Sequence, residues 1–213
     1  MSGIVERRTA QPCDNPFSAH RVAGLSYVEQ DHRLSEIAQR LRGLRYRGAI
    51  VGPTGSGKSA LLQALGDELM DHGLTPLPLI LDRERTKALP ADWRRTVRKA
   101  RPTDALLLDG FDTLPWWARL WVLAQSRKAG AVIVTSQRPL RMPTAARTHA
   151  SSDLFVKLIE ALDPAVVDHI DAQGLYRQSG GDLRLALSLA AGAYAERGPE
   201  PAIAKPKAAN PAA

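Results

Sequence analysis

Residues 52–59 read G-P-T-G-S-G-K-S, an order of glycine, lysine and hydroxyl that gathers a chain of phosphate groups. Glycines at 52, 55 and 57 free the backbone around Pro53, Thr54 and Ser56 to turn successive N–H groups inward, where a Cβ would obstruct. A helix starting at Lys58 and running on through Ser59 and Ala60 adds the partial positive charge of its N-terminus. The Lys58 ammonium then reaches the outer phosphates, and the Ser59 hydroxyl is a hard oxygen ligand for Mg²⁺. The predicted chemistry is the binding of a nucleoside triphosphate with its magnesium ion. A chance glycine-rich turn is the alternative; the apolar run G-A-I-V before the motif and A-L-L-Q-A-L after it argue against that.

A second acidic position lies in D-A-L-L-L-D-G-F-D, residues 104–112. Asp109 ends an apolar strand, the place for a carboxylate that shares the magnesium shell with Ser59, although a lone Asp at a strand end is commonly a turn former. Asp112 has two readings: a general base or water-orienting group, or the cap of a helix beginning near Leu114. A further strand, A-V-I-V-T, is followed by Ser136 and Gln137. Thr135, Ser136 and Gln137 either face a terminal phosphate and the attacking water, with Ser136 the catalytic candidate, or form an ordinary polar loop.

These groups need a sheet whose strands end together, and the hydrophobic pattern supplies one. Leu34, Ile37, Ala38, Leu41 and Leu44 recur at helical spacing ahead of a short strand at Gly48–Val51. A helix is expected from Lys58 to about Asp71, with Leu61, Leu62, Leu65 and Leu69 inward and an end near Gly73. Strands follow at Pro76–Asp82, Asp104–Asp109 and Ala131–Thr135, with a short extended piece near Ala146–Ala150. Ala91–Ala100 reads as a basic helix. Thr113 is the expected N-cap, with Pro115 just inside, of a helix on which Trp117 and Trp121 share a face; Trp116, off that face, is expected at the surface. Of the four tryptophans, Trp93 included, two or three are expected in the core. Helical patterns then span Ser152–Leu162, Pro164–Gln178 and Asp182–Glu196.

The chain has 213 residues, 44% of them hydrophobic, room for one sizeable core and a small appended unit. Its apolar runs are too short to cross a bilayer, and residues 1–16 lack the apolar core of a secretory signal, so a cytoplasmic location without membrane contact is expected. Cys13 is the single cysteine, which excludes an internal disulfide, and the five histidines show no metal-ligand spacing. The net charge of +7 favours polyanions, yet Arg and Lys are spread through several segments and read as solvated helix faces. Nucleic acid is therefore a less favoured partner. Residues 1–16 and the Pro/Ala-rich 198–213 are expected to be disordered, flanking a core at 17–150 and a helical unit at 151–197.

With G-P-T-G-S-G-K-S, L-L-L-D-G-F-D, V-I-V-T-S-Q-R and S-G-G-D-L-R-L-A-L in this order, the chain resembles the AAA+ and STAND branches of P-loop ATPases over residues 25–196. The resemblance implies an α/β P-loop NTPase three-layer sandwich, with a mostly parallel five-stranded sheet and a C-terminal helical lid. It implies ATP and Mg²⁺ as ligands, with residues 52–59 as the Walker A loop. The guanine-reading N-K-x-D sequence of G proteins is absent, which favours adenine. By position in the motif, Arg184 corresponds to the lid arginine that folds toward the γ-phosphate; its bland alternative is a solvated side chain on a helix capped by Asp182. Many AAA+ ATPases carry Glu directly after the metal-binding Asp, where this chain has Gly110, so slow hydrolysis is expected. Arg138, Arg141 and Arg147 are candidates for an arginine finger in a homo-oligomer.

The function expected is a nucleotide-dependent switch or remodelling ATPase acting on a protein client or within a homo-oligomer. A small-molecule kinase is the alternative, prompted by the acidic-basic run L-I-L-D-R-E-R-T-K-A-L, and a nucleic-acid-associated ATPase is another, resting on charge.

Overall fold

The computed structural model describes residues 34–81 and 89–197. The terminal segments expected to be disordered, and most of the acidic-basic run that prompted a kinase reading, lie outside the described residues. In chain order the elements are α1 (Leu34–Gly43), β1 (Arg47–Val51), α2 (Lys58–Asp71), β2 (Thr75–Ile80), α3 (Ala91–Lys99), β3 (Asp104–Asp109), α4 (Trp116–Gln125), β4 (Ala131–Ser136) and β5 (Thr144–Arg147). Three further helices follow: α5 (Ser152–Leu162), α6 (Ala172–Gln178) and α7 (Leu183–Arg197).

The five strands form one parallel sheet in the order β2-β3-β4-β1-β5. Alternate residues of each buried strand feed the two faces, as the two-residue period requires. On one face Ile50, Leu107 and Ile133 pack against Ile37 and Leu41 of α1 and Leu61, Leu65 and Leu69 of α2. On the other, Leu106, Leu108 and Val134 pack against Trp93 and Val97 of α3 and Ala118 and Val122 of α4. This is a three-layer α/β sandwich around a parallel five-stranded sheet, the architecture that the sequence led one to expect. The central β4 is buried at every position, which is why its sequence is a continuous apolar run rather than an alternating one.

Strand β2 forms one edge of the sheet, and its sequence blunts that edge. The N–H groups of Thr75 and Leu81 donate to Thr103 O and Asp109 O at 2.7 and 3.1 Å, so odd-numbered positions face β3. Pro76 and Pro78 occupy the intervening, outward positions, where they remove the donors another strand would need.

Helices α5–α7 build a separate apolar cluster, with Phe155, Ile159, Ile170, Leu183 and Ala186 at its centre. The pattern Pro164–Gln178, expected to be one helix, divides into a 3₁₀ stretch at Pro164–His169 and α6. Asp171 causes the division: its carboxylate accepts from Gly174 N at 2.9 Å and caps a new helix. The largest shifts of bounds are in β2, which covers Thr75–Ile80 rather than Pro76–Asp82, and β5, which covers Thr144–Arg147 rather than Ala146–Ala150.

Thr113 does not cap α4. Residues Phe111–Thr113 form a 3₁₀ turn after the left-handed Gly110, Thr113 Oγ1 donates back to Gly110 O at 2.6 Å, and Pro115 becomes the N-cap. Asp112 is not the cap either, because its side chain reaches across to β4. Of the tryptophans, Trp93 is fully buried and Trp121 packs at the core margin, whereas Trp116 and Trp117 stand at the surface.

Candidate functional site

The loop from Gly52 to Gly57 follows the carboxyl end of β1, which lies between the central β4 and the edge strand β5. Its start is tied to the neighbouring strand, since Gly52 N donates to Ser136 O at 3.1 Å. Ser56 is buried and anchors the interior of the loop: its hydroxyl donates to Pro53 O at 2.8 Å and lies 2.7 Å from Thr148 Oγ1. The Lys58 ammonium donates to Pro53 O, folding over the loop it serves. Gly57 is the N-cap of α2, and the first turn of that helix carries no acidic residue, so the positive end of the helix is not neutralised by its own side chains. Pro53, Thr54, Ser59 and Ala60 are open to solvent.

Asp109 is half-buried at the end of β3, and a threonine fixes its rotamer. Thr135 Oγ1 donates to Asp109 Oδ1 at 2.5 Å while accepting from Gly110 N at 2.8 Å. Because β4 lies between β1 and β3, the carboxyl end of β4 sits between the Gly52–Gly57 loop and this carboxylate. Ser59 and Asp109 line one groove of ≈ 500 Å³ between α2 and β2. A serine hydroxyl and a carboxylate are hard oxygen donors of the kind Mg²⁺ takes, and among the described residues no group of three or more His, Cys, Asp or Glu competes for a metal. An ion that completes its shell with phosphate oxygens and water needs no more protein ligands than these two.

The other expected site residues divide. Ser136 is buried, and its hydroxyl is engaged in the turn that follows, donating to Arg138 O at 2.5 Å and accepting from Arg138 N at 3.2 Å. Asp112 Oδ2 accepts from Gln137 N at 2.9 Å, bridging the 3₁₀ turn to the end of β4. Arg184 lies in the first turn of α7 with its side chain exposed. Asp182 caps that helix, accepting from Arg184 N at 2.9 Å and Leu185 N at 3.2 Å. Arg138 and Arg141, between β4 and β5, and Arg147, the last residue of β5, are exposed.

One residue at the site, Thr148, escaped sequence reasoning, and so did the contacts made by two others, Thr135 and Asp182. Thr148 supports Ser56 from 92 positions away, and no local pattern marks it. Thr135 was visible as a polar strand end, but its bond to Asp109 depends on the pairing of β3 with β4. Asp182 lies against Gly55 of the Gly52–Gly57 loop. Gly55 has φ +71, which an L side chain seldom adopts, and a Cβ added there would collide with Asp182 Oδ1. The glycine therefore permits both the turn of the loop and the close approach of the helical unit.

No protein-family model and no curated protein sequence matches the chain. Among solved structures it is similar to C. elegans PCH-2, with 15% identity over 77% of this chain and 68% of that one, at a TM-score of 0.42. A likeness at that level says nothing of what this chain binds or does.

Proposed function

We propose that this chain is a P-loop ATPase of the AAA+/STAND-like kind, a slow nucleotide-dependent switch or remodelling factor that takes ATP with Mg²⁺. The observation that carries the reading is the groove that Ser59, in the first turn of α2, shares with Asp109, next to a loop whose backbone, lysine and helix terminus all favour phosphate. Residues 52–60 hold the triphosphate, with Lys58 moving from Pro53 O to the phosphate oxygens. Ser59 and Asp109 hold the magnesium ion, which when bound neutralises charge on the β- and γ-phosphoryl oxygens. Thr135 keeps Asp109 aimed at that position. Asp112 and Ser136 stand beside the path of the attacking water, and residues 151–197 act as the lid that presents Arg184.

Slow turnover follows from Gly110. Its φ of +77 is costly for any residue with a Cβ, so the position after Asp109 does not readily accept the glutamate that many AAA+ ATPases use to activate water. Completion of the site by an arginine of a second copy, from among Arg138, Arg141 and Arg147, remains compatible with their exposure.

Asp109→Asn tests the metal site, because it removes charge while keeping shape. ATP affinity is expected to stay within a few-fold of wild type and Mg²⁺-dependent phosphate release to fall by at least about tenfold. Wild-type turnover across a Mg²⁺ titration would remove Asp109 from the mechanism.

A further inference from the structure

Part of the positive charge that looks dispersed along the sequence lies together on one pair of neighbouring helices. Helix α3 exposes Arg94, Arg95, Arg98 and Lys99 against a single carboxylate, Asp92. Next to it, α4 has no carboxylate and turns Trp116, Trp117 and Leu120 outward at 69%, 49% and 59% exposure. Exposed indoles in that number are unusual on a surface that is otherwise strongly charged.

Two grooves flank α4, and their compositions match. One, of ≈ 250 Å³, lies toward α3 and joins Trp117 to Arg94 and Arg98, with the Arg98 guanidinium already stacked 5.3 Å from the centroid of Trp121. The other, of ≈ 340 Å³, lies toward the loop at residues 139–142 and joins Trp116 to Arg119 and Arg141 above an apolar floor. Arg119 Nε is buried with no hydrogen-bond partner among the described residues, a donor left for an acceptor from outside them.

From this pairing of indole and guanidinium we propose that the α3–α4 face binds single-stranded nucleic acid without sequence preference. A single strand offers at each step an anionic phosphate and a flat ring with a free face, which are the two groups each groove is equipped to meet. A duplex hides those ring faces in its stack. An acidic peptide helix would meet the arginines, but it needs one continuous trough, and the ridge of α4 divides this surface into two. This inference does not depend on the ATPase reading, because none of the phosphate-loop residues lines either groove.

The test is fluorescence anisotropy of a labelled 20-nucleotide deoxythymidine strand, without ATP, over a salt series. Wild-type protein is expected to bind at low salt, to lose affinity steeply as salt rises, and to prefer the strand over a duplex of equal length. Trp116→Ala, at an exposed position that the fold tolerates, is expected to weaken binding roughly five- to a hundred-fold, and Arg94→Glu with Arg98→Glu to weaken it at least tenfold. Lys58→Ala is expected to bind the strand as wild type does. The proposal is overturned if Trp116→Ala binds like wild type, if the duplex binds more tightly, if poly-glutamate of equal charge competes as well as the strand, or if Lys58→Ala abolishes binding.

Discussion

The phosphate loop and the C-terminal helices meet at Gly55, yet the two regions are made in different ways. The loop is specified by consecutive residues: glycines shape it, Ser56 ties it to Thr148, and the adjoining strands and helix are buried in the sandwich. The helical unit is held by its own apolar cluster and reaches the loop by a carboxylate set against a glycine. Under the proposed function, a loop fixed in the sandwich and a helical unit that packs on its own core would suit nucleotide-dependent movement, because one part can shift without unfolding the other.

The severest challenge to this contrast is Phe155→Ala. Phe155 is fully buried at the centre of the helical cluster, and its truncation is expected to cost that unit about 3–5 kcal/mol. In a urea titration followed by circular dichroism, part of the helical signal should be lost at lower urea while labelled ATP still binds the core. Loss of ATP binding in the same single transition would make the two regions one cooperative unit.

Arg184→Ala probes the cover more gently. Only ATP presents γ-phosphate oxygens, so the ratio of ATP to ADP affinity is expected to fall about fivefold, roughly 1 kcal/mol for an exposed guanidinium, with ADP affinity unchanged. Equal ratios in the two proteins would leave Arg184 as a solvated residue on a capped helix.

The smallest effect belongs to Asp182→Asn. Asparagine caps a helix as well as aspartate does, so α7 should be undisturbed, while a negative charge beside the phosphate loop disappears. ATP is expected to bind about twofold more tightly, roughly 0.5 kcal/mol. Weaker binding would mean that the carboxylate supports the loop rather than opposing its ligand.

Elements whose cause is local were legible in the sequence. Helix α2 runs Lys58–Asp71 as its leucine period requires, and β3 and α5 also have the bounds expected of them. The two prolines of T-P-L-P-L-I would have marked β2 as an edge strand had their spacing of two been used. What escaped was long-range. Asp112 has good capping chemistry, but the left-handed Gly110 and the 3₁₀ turn displaced the helix start to Trp116, and its carboxylate found Gln137 N, 25 positions on. The basic aromatic face was invisible because α3 and α4 are neighbours only after β3 has passed between them in the chain, and no periodicity registers the contact of two helices.

The central claim is that residues 52–60 hold the phosphates of ATP, and titration of labelled ATP into wild type and a folded Lys58→Ala variant tests it most directly. Removing a charge-assisted contact of about 1.5–3 kcal/mol is expected to weaken binding by roughly ten- to a hundred-fold with the melting temperature unchanged. Superimposable titration curves for the two proteins, or no ATP binding by the wild type, would contradict the account.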